Sequence, residues 1–362
     1  MGHVAGAQGV GFVTCVAGRP RDRQETSDAD QLFASVLRLR RLGNHDPVIA
    51  YHVDQELSEE EAQKLSKPAV APLQLVDATT IASRSDLNAT RGKMRLFRSY
   101  YCLVFAVLHS PFEGTMLMNA DTLFVADPTR WWQLPAVQAT GVLFFEDKFS
   151  SHLWTPAAQH ISVCNEMRAL AKTFGYPLRQ NFEVDYGAFC SGKRRHLLEC
   201  SLTMFNKSHV RVSALLNVLR DLLWHVFDPS RSKSFHVPLW GYGDKELYWI
   251  ASELAGYKPY FSPRGSPAAV GPKLGPRKRA TCFVHLEPGT SKNRRDSSKI
   301  SHLNMAHDCG WSDKELSWHF SASAPLWDTP TSQVQLRMIT PEEASILSAF
   351  IHDAYSSFLH KT

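Results

Sequence analysis

The chain has 362 residues, 44% of them hydrophobic and 21% charged, the balance of an ordinary folded protein, and its length admits one large α/β unit or two domains. A formal net charge of +5 is too mild to specify nucleic acid without a concentrated patch. No apolar run reaches the length of a membrane helix, and no secretory leader is read at the start. The seven cysteines, Cys15, Cys102, Cys164, Cys190, Cys200, Cys282 and Cys309, form no CxxC pair, which argues against zinc. Their odd number leaves at least one thiol free, and Cys15 and Cys102, set in apolar runs, read as small core residues. Two sequons, Asn88-Ala-Thr90 and Asn206-Lys-Ser208, permit a lumenal location.

In chain order, Val10 to Val16 is an apolar, β-branched run that reads as a buried parallel strand. Gly18 then turns the chain into a charged loop from Arg19 to Arg23. Gln31 to Leu42 has helical spacing and a Gly43-Asn44 stop. Pro47 to Val53 is a second strand, Ser58 to Glu61 is a capping box opening a helix, and Leu73 to Val76 is a third strand. This alternation predicts a parallel sheet with helices on its faces. Arg91 to Arg95, which contains Lys93, leads into an apolar helix from Leu96 to His109; its cations suit either a phosphate or water.

Thr115 to Met118 is a strand too hydrophobic for a surface, and it ends in Asn119-Ala120-Asp121. Side chains two apart on a strand leave on one side, so the Asn119 amide and the Asp121 carboxylate can converge on one object. Such a pair at the end of a buried strand is where α/β proteins bind ligands, and its hard oxygens suit Mg²⁺ or Mn²⁺ carrying a diphosphate. The plain alternative is an Asx-type turn. Trp131-Trp132 begins a short helix packed on the sheet, and Thr140 to Phe145 is a further strand ending in Glu146-Asp147.

Pro156 to Phe174 is helical. Glu183 and Asp185 precede a short predicted strand from Ala188 to Cys190, and as carboxylates at i and i+2 they share one side of an extended chain. Lys193 to His196 is a basic turn, read alternatively as a solvated helix start ahead of a Leu197, Leu198 and Leu202 core face. Val212 to Phe227 is a helix. Gly241-Tyr-Gly-Asp-Lys-Glu246 opens another, with Asp244 in the first turn as an N-cap or a ligand group. Ser262 to Lys299 is a long loop rich in Pro, Gly, Lys and Arg that encloses a short strand from Cys282; Ile300 to Asn304 is the next strand. The basic loop lacks the interleaved aromatics of a single-strand nucleic-acid surface. Thr340, Pro341 and Glu343 open a terminal helix.

The Asn119-Ala-Asp121 strand end and Gly243-Asp-Lys-Glu246, in this order and with the helix ending Leu108-His-Ser-Pro-Phe112 between Lys93 and the strand, resemble the fungal-type Golgi α-1,3-mannosyltransferases, nucleotide-sugar-dependent enzymes of the GT-A fold. The resemblance runs from Val10 to Asn304. It departs at Asn119, where the family carries Asp. It implies a Rossmann-like GT-A domain with a mostly parallel central sheet over residues 9–310, holding residues 262–299 as an inserted basic loop, followed by a C-terminal extension over 311–362. It further implies hexose transfer, most simply mannose from GDP-mannose with retention, to a glycan acceptor in the Golgi lumen, with Mn²⁺ or Mg²⁺ as cofactor.

By the same resemblance Asp121, Asn119 and His302 hold the metal, with His285 the runner-up to His302. Gly18, Arg19, Lys93 and Lys193 meet the nucleotide sugar, and Asp244, Glu183 and Asp185 orient the reacting hydroxyls, with Asp147 near the acceptor. The rivals are a UDP-sugar transferase and a glycan-binding relative that lost catalysis with the Asn119 change.

Overall fold

The computed structural model describes residues 9–17, 27–82, 101–147, 157–191, 196–227, 244–262, 268–272, 282–286, 300–304, 316–320, 335–338 and 345. The principal sheet contains β1 (Val10–Cys15), β2 (Val48–His52), β3 (Leu73–Asp77), β4 (Gly114–Met118), β6 (Val142–Glu146) and β7 (Leu198–Asn206) in the order β3-β2-β1-β4-β7-β6. β3, β2, β1 and β4 are mutually parallel, while β7 is antiparallel to both its neighbours. β7 alone therefore runs against the rest, which is the mostly parallel α/β sheet expected. The ends of β1, β4 and β6 consequently lie along one edge with the start of β7.

Alternation along these strands separates two cores. Phe12, Val48, Ala50, Met116, Met118, Leu143 and Phe145 pack with Leu32, Val36 and Leu39 of α1 (Asp28–Arg41) on one face. Val13, Ile49, Tyr51, Leu117, Val142 and Phe144 pack on the other. There they meet α4 (Cys102–His109), α6 (Ala157–Phe174), α9 (Val210–Phe227) and α10 (Lys245–Leu254). Period-two strands clothed in helices on both sides make a three-layer domain. Local signals set the boundaries. Ser27 caps α1 and exchanges hydrogen bonds with Asp30, and Ser58 does the same with Glu61 ahead of α2 (Glu59–Leu65). Gly43 follows α1 at φ +83°, a left-handed conformation that suits glycine.

A second sheet, entirely antiparallel, has the order β12-β11-β8-β9-β10-β5. Its strands are β5 (Leu123–Phe124), β8 (Ala268–Pro272), β9 (Cys282–Leu286), β10 (Ile300–Asn304), β11 (Leu316–Phe320) and β12 (Gln335–Met338). The strands expected at Cys282 and Ile300 are found. The basic loop expected over 262–299 supplies, besides the expected strand at Cys282, β8, and the expected C-terminal extension supplies β11 and β12. The terminal helix, apart from residue 345, lies outside the described residues.

Three expectations need correction. Ala188 to Cys190 is not a strand: α7 (Phe182–Asp185) and α8 (Gly187–Cys190) are helical turns. The reason is that Phe182, Tyr186 and Phe189 bury one side at i, i+4 and i+7, with the last two rings against Trp249. The stretch after the basic turn is not a helix but β7, buried along its length to Phe205, in which Leu198, Cys200, Leu202 and Met204 alternate with Glu199, Ser201 and Thr203. Finally, Cys15 and Cys102 are not free core residues; they form a disulfide, as do Cys164 and Cys190, and Cys200 is a buried thiol.

Cys15–Cys102 ties the end of β1 to the start of α4 across 87 residues of chain. Closing a loop of that length stabilises by about 4 kcal/mol in the chain-entropy account. A Cys15→Ser/Cys102→Ser variant is expected to lose about that much in a urea titration; a loss below about 1 kcal/mol would contradict it.

Candidate functional site

The turn after β4 is braced from two sides. The Asn119 N–H donates to the Ser201 carbonyl at 3.1 Å, and the Thr122 hydroxyl donates to the same oxygen at 2.8 Å. From α1, Ser35 Oγ donates to the Ala120 carbonyl at 2.7 Å and Arg38 Nε to that of Phe124 at 3.0 Å. The Thr122 N–H closes the turn on the Asn119 carbonyl at 3.2 Å. Ala120 and Thr122 are buried, whereas Asn119 and Asp121 are half-buried, so the two polar residues are the ones that reach towards solvent. Among the described residues, the Asn119 side-chain amide has no hydrogen-bond partner.

β5 begins two residues after Asp121 and pairs with β10, opposing Phe124 to His302 and Leu123 to Leu303. β10 in turn pairs with β9, and there His302 stands opposite His285. The backbone thus carries both candidate histidines to the strand that follows Asp121, with His302 one strand nearer. Among the described residues no group of three or more His, Cys, Asp and Glu side chains converges as a closed metal cage.

Next to this turn lies a group of buried charges. Glu199 of β7 accepts from the Ser201 N–H at 3.0 Å, so it adjoins the residue whose carbonyl holds the turn. Lys245 Nζ lies 3.2 Å from Asp147 at the end of β6 and 3.4 Å from Glu199. Burial opposes the charge on Lys245, but the two carboxylates outweigh it and hold the ammonium well above its usual range. Glu246 accepts from the Leu197 N–H at 3.1 Å and from the Trp249 indole, with His196 Nδ1 at 3.2 Å. It anchors α10 to the residues just after the basic turn.

Asp244 occupies the N-cap position of α10 without capping it: its carboxylate accepts from the Tyr248 hydroxyl at 2.7 Å and is fully buried. Burial pushes its pKa up to about 6, although Tyr248 and Lys245 pull the other way. The folded state therefore holds this proton more tightly than the unfolded chain does, and Asp244 lowers stability as pH rises from about 4 to 6. Asp244→Asn keeps an oxygen for Tyr248 and removes that titration. Measured against the parent, the variant should gain on the order of 2 kcal/mol across this window, whereas a pH-independent difference would contradict the assignment.

Glu183 and Asp185 are each held in ion pairs. Glu183 pairs with Arg168 of α6, and Asp185 with Arg179 at 2.6 Å and Lys258 at 2.7 Å. Because α7 is helical, the shared side expected of an extended chain is not found. Gly18, Arg19, Lys93 and Lys193 lie outside the described residues, although Ala17 is fixed by its N–H to Asp28 Oδ2 at 3.1 Å, immediately before Gly18. Glu199 is not among the residues expected from the sequence, where a helical core face is one of two readings of its stretch; the period-two alternation of β7 is the signal that marks it.

A family model described as "Mannosyltransferase putative" matches residues 10–307. "Putative alpha-1,3-mannosyltransferase MNN14" of Candida albicans is 23% identical, covering 77% of this chain and 39% of its own length. "Alpha-1,3-mannosyltransferase MNT3" of Saccharomyces cerevisiae is 22% identical, covering 62% of this chain and 36% of its own. The chain thus spans less than half the length of these curated relatives. Among solved structures, core-mannan synthase A of Aspergillus fumigatus in its Mn/GDP form is 12% identical, covering 73% of this chain and 74% of that one at a TM-score of 0.40; a likeness this loose carries no argument. With the match extending from β1 through β10, the chain belongs to the mannosyltransferase family that this model defines.

Proposed function

We propose that this chain transfers mannose from GDP-mannose to a glycan acceptor, with retention, at the edge where β1, β4 and β6 end. The observation that carries this reading is the turn after β4: a braced, otherwise buried segment from which Asn119 and Asp121 reach outward beside the strand bearing His302. Asp121, assisted by Asn119 and with His302 supplied across the β5–β10 pairing, would hold Mn²⁺. So few protein ligands suit a hard cation that keeps waters and takes phosphate oxygens. When bound, the metal neutralises the departing diphosphate.

The chain's own residues do the rest. Ser201, Thr122 and Ser35 fix the turn, so Asp121 is oriented before donor arrives. Lys245 keeps Asp147, just after β6, and Glu199, near the start of β7, together, and these carboxylates are assigned to sugar hydroxyls. Gly18, Arg19, Lys93 and Lys193 are assigned to the diphosphate from their sequence positions. Asp244, buried and bonded to Tyr248 at the start of α10, is assigned to the reacting hydroxyls from its sequence position. Glu183 and Asp185 are assigned to the ion pairs that hold α7. Two disulfides favour an oxidising compartment, in keeping with a lumenal enzyme of the secretory pathway.

A panel of GDP- and UDP-sugars, assayed for donor hydrolysis with and without Mn²⁺, tests the proposal. Mn²⁺-dependent release of GDP from GDP-mannose is expected. Preference for a UDP-sugar would overturn the donor assignment. Glycan binding without turnover on any donor would favour the second reading, a degenerate binder, which rests on the lost charge at Asn119.

A further inference from the structure

The turn that follows β7 carries a feature unrelated to the transferase edge. Asn206 is the last residue of β7, Lys207 and Ser208 form the turn, and α9 starts at Val210. Lys207 points inward, donating its Nζ to the Ser110 carbonyl at 2.7 Å. Asn206, like Lys207, is half-buried, and Ser208 is exposed. The Asn206 Oδ1 accepts from the Ser208 N–H at 3.1 Å, an Asx-type turn that uses the carbonyl side of the amide and leaves its nitrogen out of that bond. The Ser208 hydroxyl is held beside the Glu113 carboxylate.

We propose that Asn206 is a site of N-linked glycosylation, with the tripeptide Asn206-Lys207-Ser208 as its acceptor. The donor class is an oligosaccharide on a polyprenyl diphosphate. In the transfer the Asn206 Nδ2 forms a bond to the anomeric carbon, the bond from that carbon to the diphosphate oxygen breaks with its electron pair, and the nitrogen loses a proton. Three observations support the site beyond the tripeptide. The two disulfides belong to chains that pass through the compartment where this donor is used. The turn exposes Ser208 and leaves Asn206 half-buried beside it, while the Lys207 ammonium is turned onto the Ser110 carbonyl. And Asn206 lies five residues along β7, roughly 17 Å, beyond Ser201, whose carbonyl holds the Asn119–Asp121 turn, so a glycan there stands off that edge. The proposal depends on the chain entering a secretory lumen and is independent of its transferase activity.

The test is to secrete the full chain behind a cleavable leader in yeast, map its disulfides, and release glycans enzymatically in heavy-oxygen water, which marks each formerly glycosylated Asn as labelled Asp. The result expected is label at Asn206. Asn206→Asp keeps an oxygen acceptor for the Ser208 N–H and should lose the corresponding mobility shift. Ser208→Ala should lose it as well, and Ser208→Thr should retain it. Protein with both disulfides formed and Asn206 unlabelled would overturn the proposal. So would a shift that persists in Asn206→Asp and Ser208→Ala.

Discussion

Asp121→Ala is expected to reduce Mn²⁺-dependent turnover of GDP-mannose by about 10²–10³-fold, the scale of removing one preorganised electrostatic group at a site of developing charge. The fold should change by no more than about 1 kcal/mol, because the side chain is half-buried and Ser201, Ser35 and Thr122 continue to hold the turn. Steady-state kinetics paired with a urea titration separates the two effects. Retained turnover in a folded variant would remove Asp121 from the site, whereas lost stability would make the turn a structural element only. Asn119→Asp is the companion change: restoring a charge should tighten Mn²⁺ and alter the rate modestly.

Much of this arrangement is legible in the sequence where one physical signal dominates. Val10 to Val16 and Thr115 to Met118 are read as buried strands because they are dominated by apolar residues, and the Ser58–Glu61 capping box fixes a helix start by local hydrogen bonding alone. The polar pair after β4 is equally plain, since Asn119 and Asp121 interrupt an apolar run. What escapes is what depends on distant partners. Cys15 and Cys102 look like core residues because their neighbours are apolar, and only the fold brings them together. Glu199 looks like a surface residue until Lys245, contributed 46 positions later, arrives beside it. α7 and α8 carry both a period-two acidic pair, Glu183 and Asp185, and a helical aromatic stripe, Phe182, Tyr186 and Phe189. The stripe wins because it buries three rings, while the acids gain only surface ion pairs.

Lys245→Met should destabilise the protein by about 3 kcal/mol, with the loss centred on the ends of β6 and β7. The substitution takes the shared cation from Asp147 and Glu199, which are 2% and 3% exposed at their side chains. Removing one partner of a buried charge group costs far more than the surface pair between Asp185 and Lys258, for which Lys258→Met should cost no more than about 1 kcal/mol. A Lys245→Met/Asp147→Asn/Glu199→Gln variant should regain a large part of the loss, since the two buried carboxylate charges that Lys245 offsets are then removed with it. Equal, small losses for Lys245→Met and Lys258→Met would show that water reaches the cluster and that Lys245 does not organise the edge.

The site itself is tested most directly by diffraction from crystals grown with GDP and Mn²⁺, using the anomalous signal of the metal. The expected result is one manganese peak bonded to the Asp121 carboxylate and to the imidazole of His302, with the diphosphate on its open side towards Gly18 and Arg19. A peak held by His285 in place of His302 would mean that β10 serves only to carry the neighbouring strand. A peak on Glu183 and Asp185, or GDP bound away from the Asn119–Asp121 turn, would contradict the assignment.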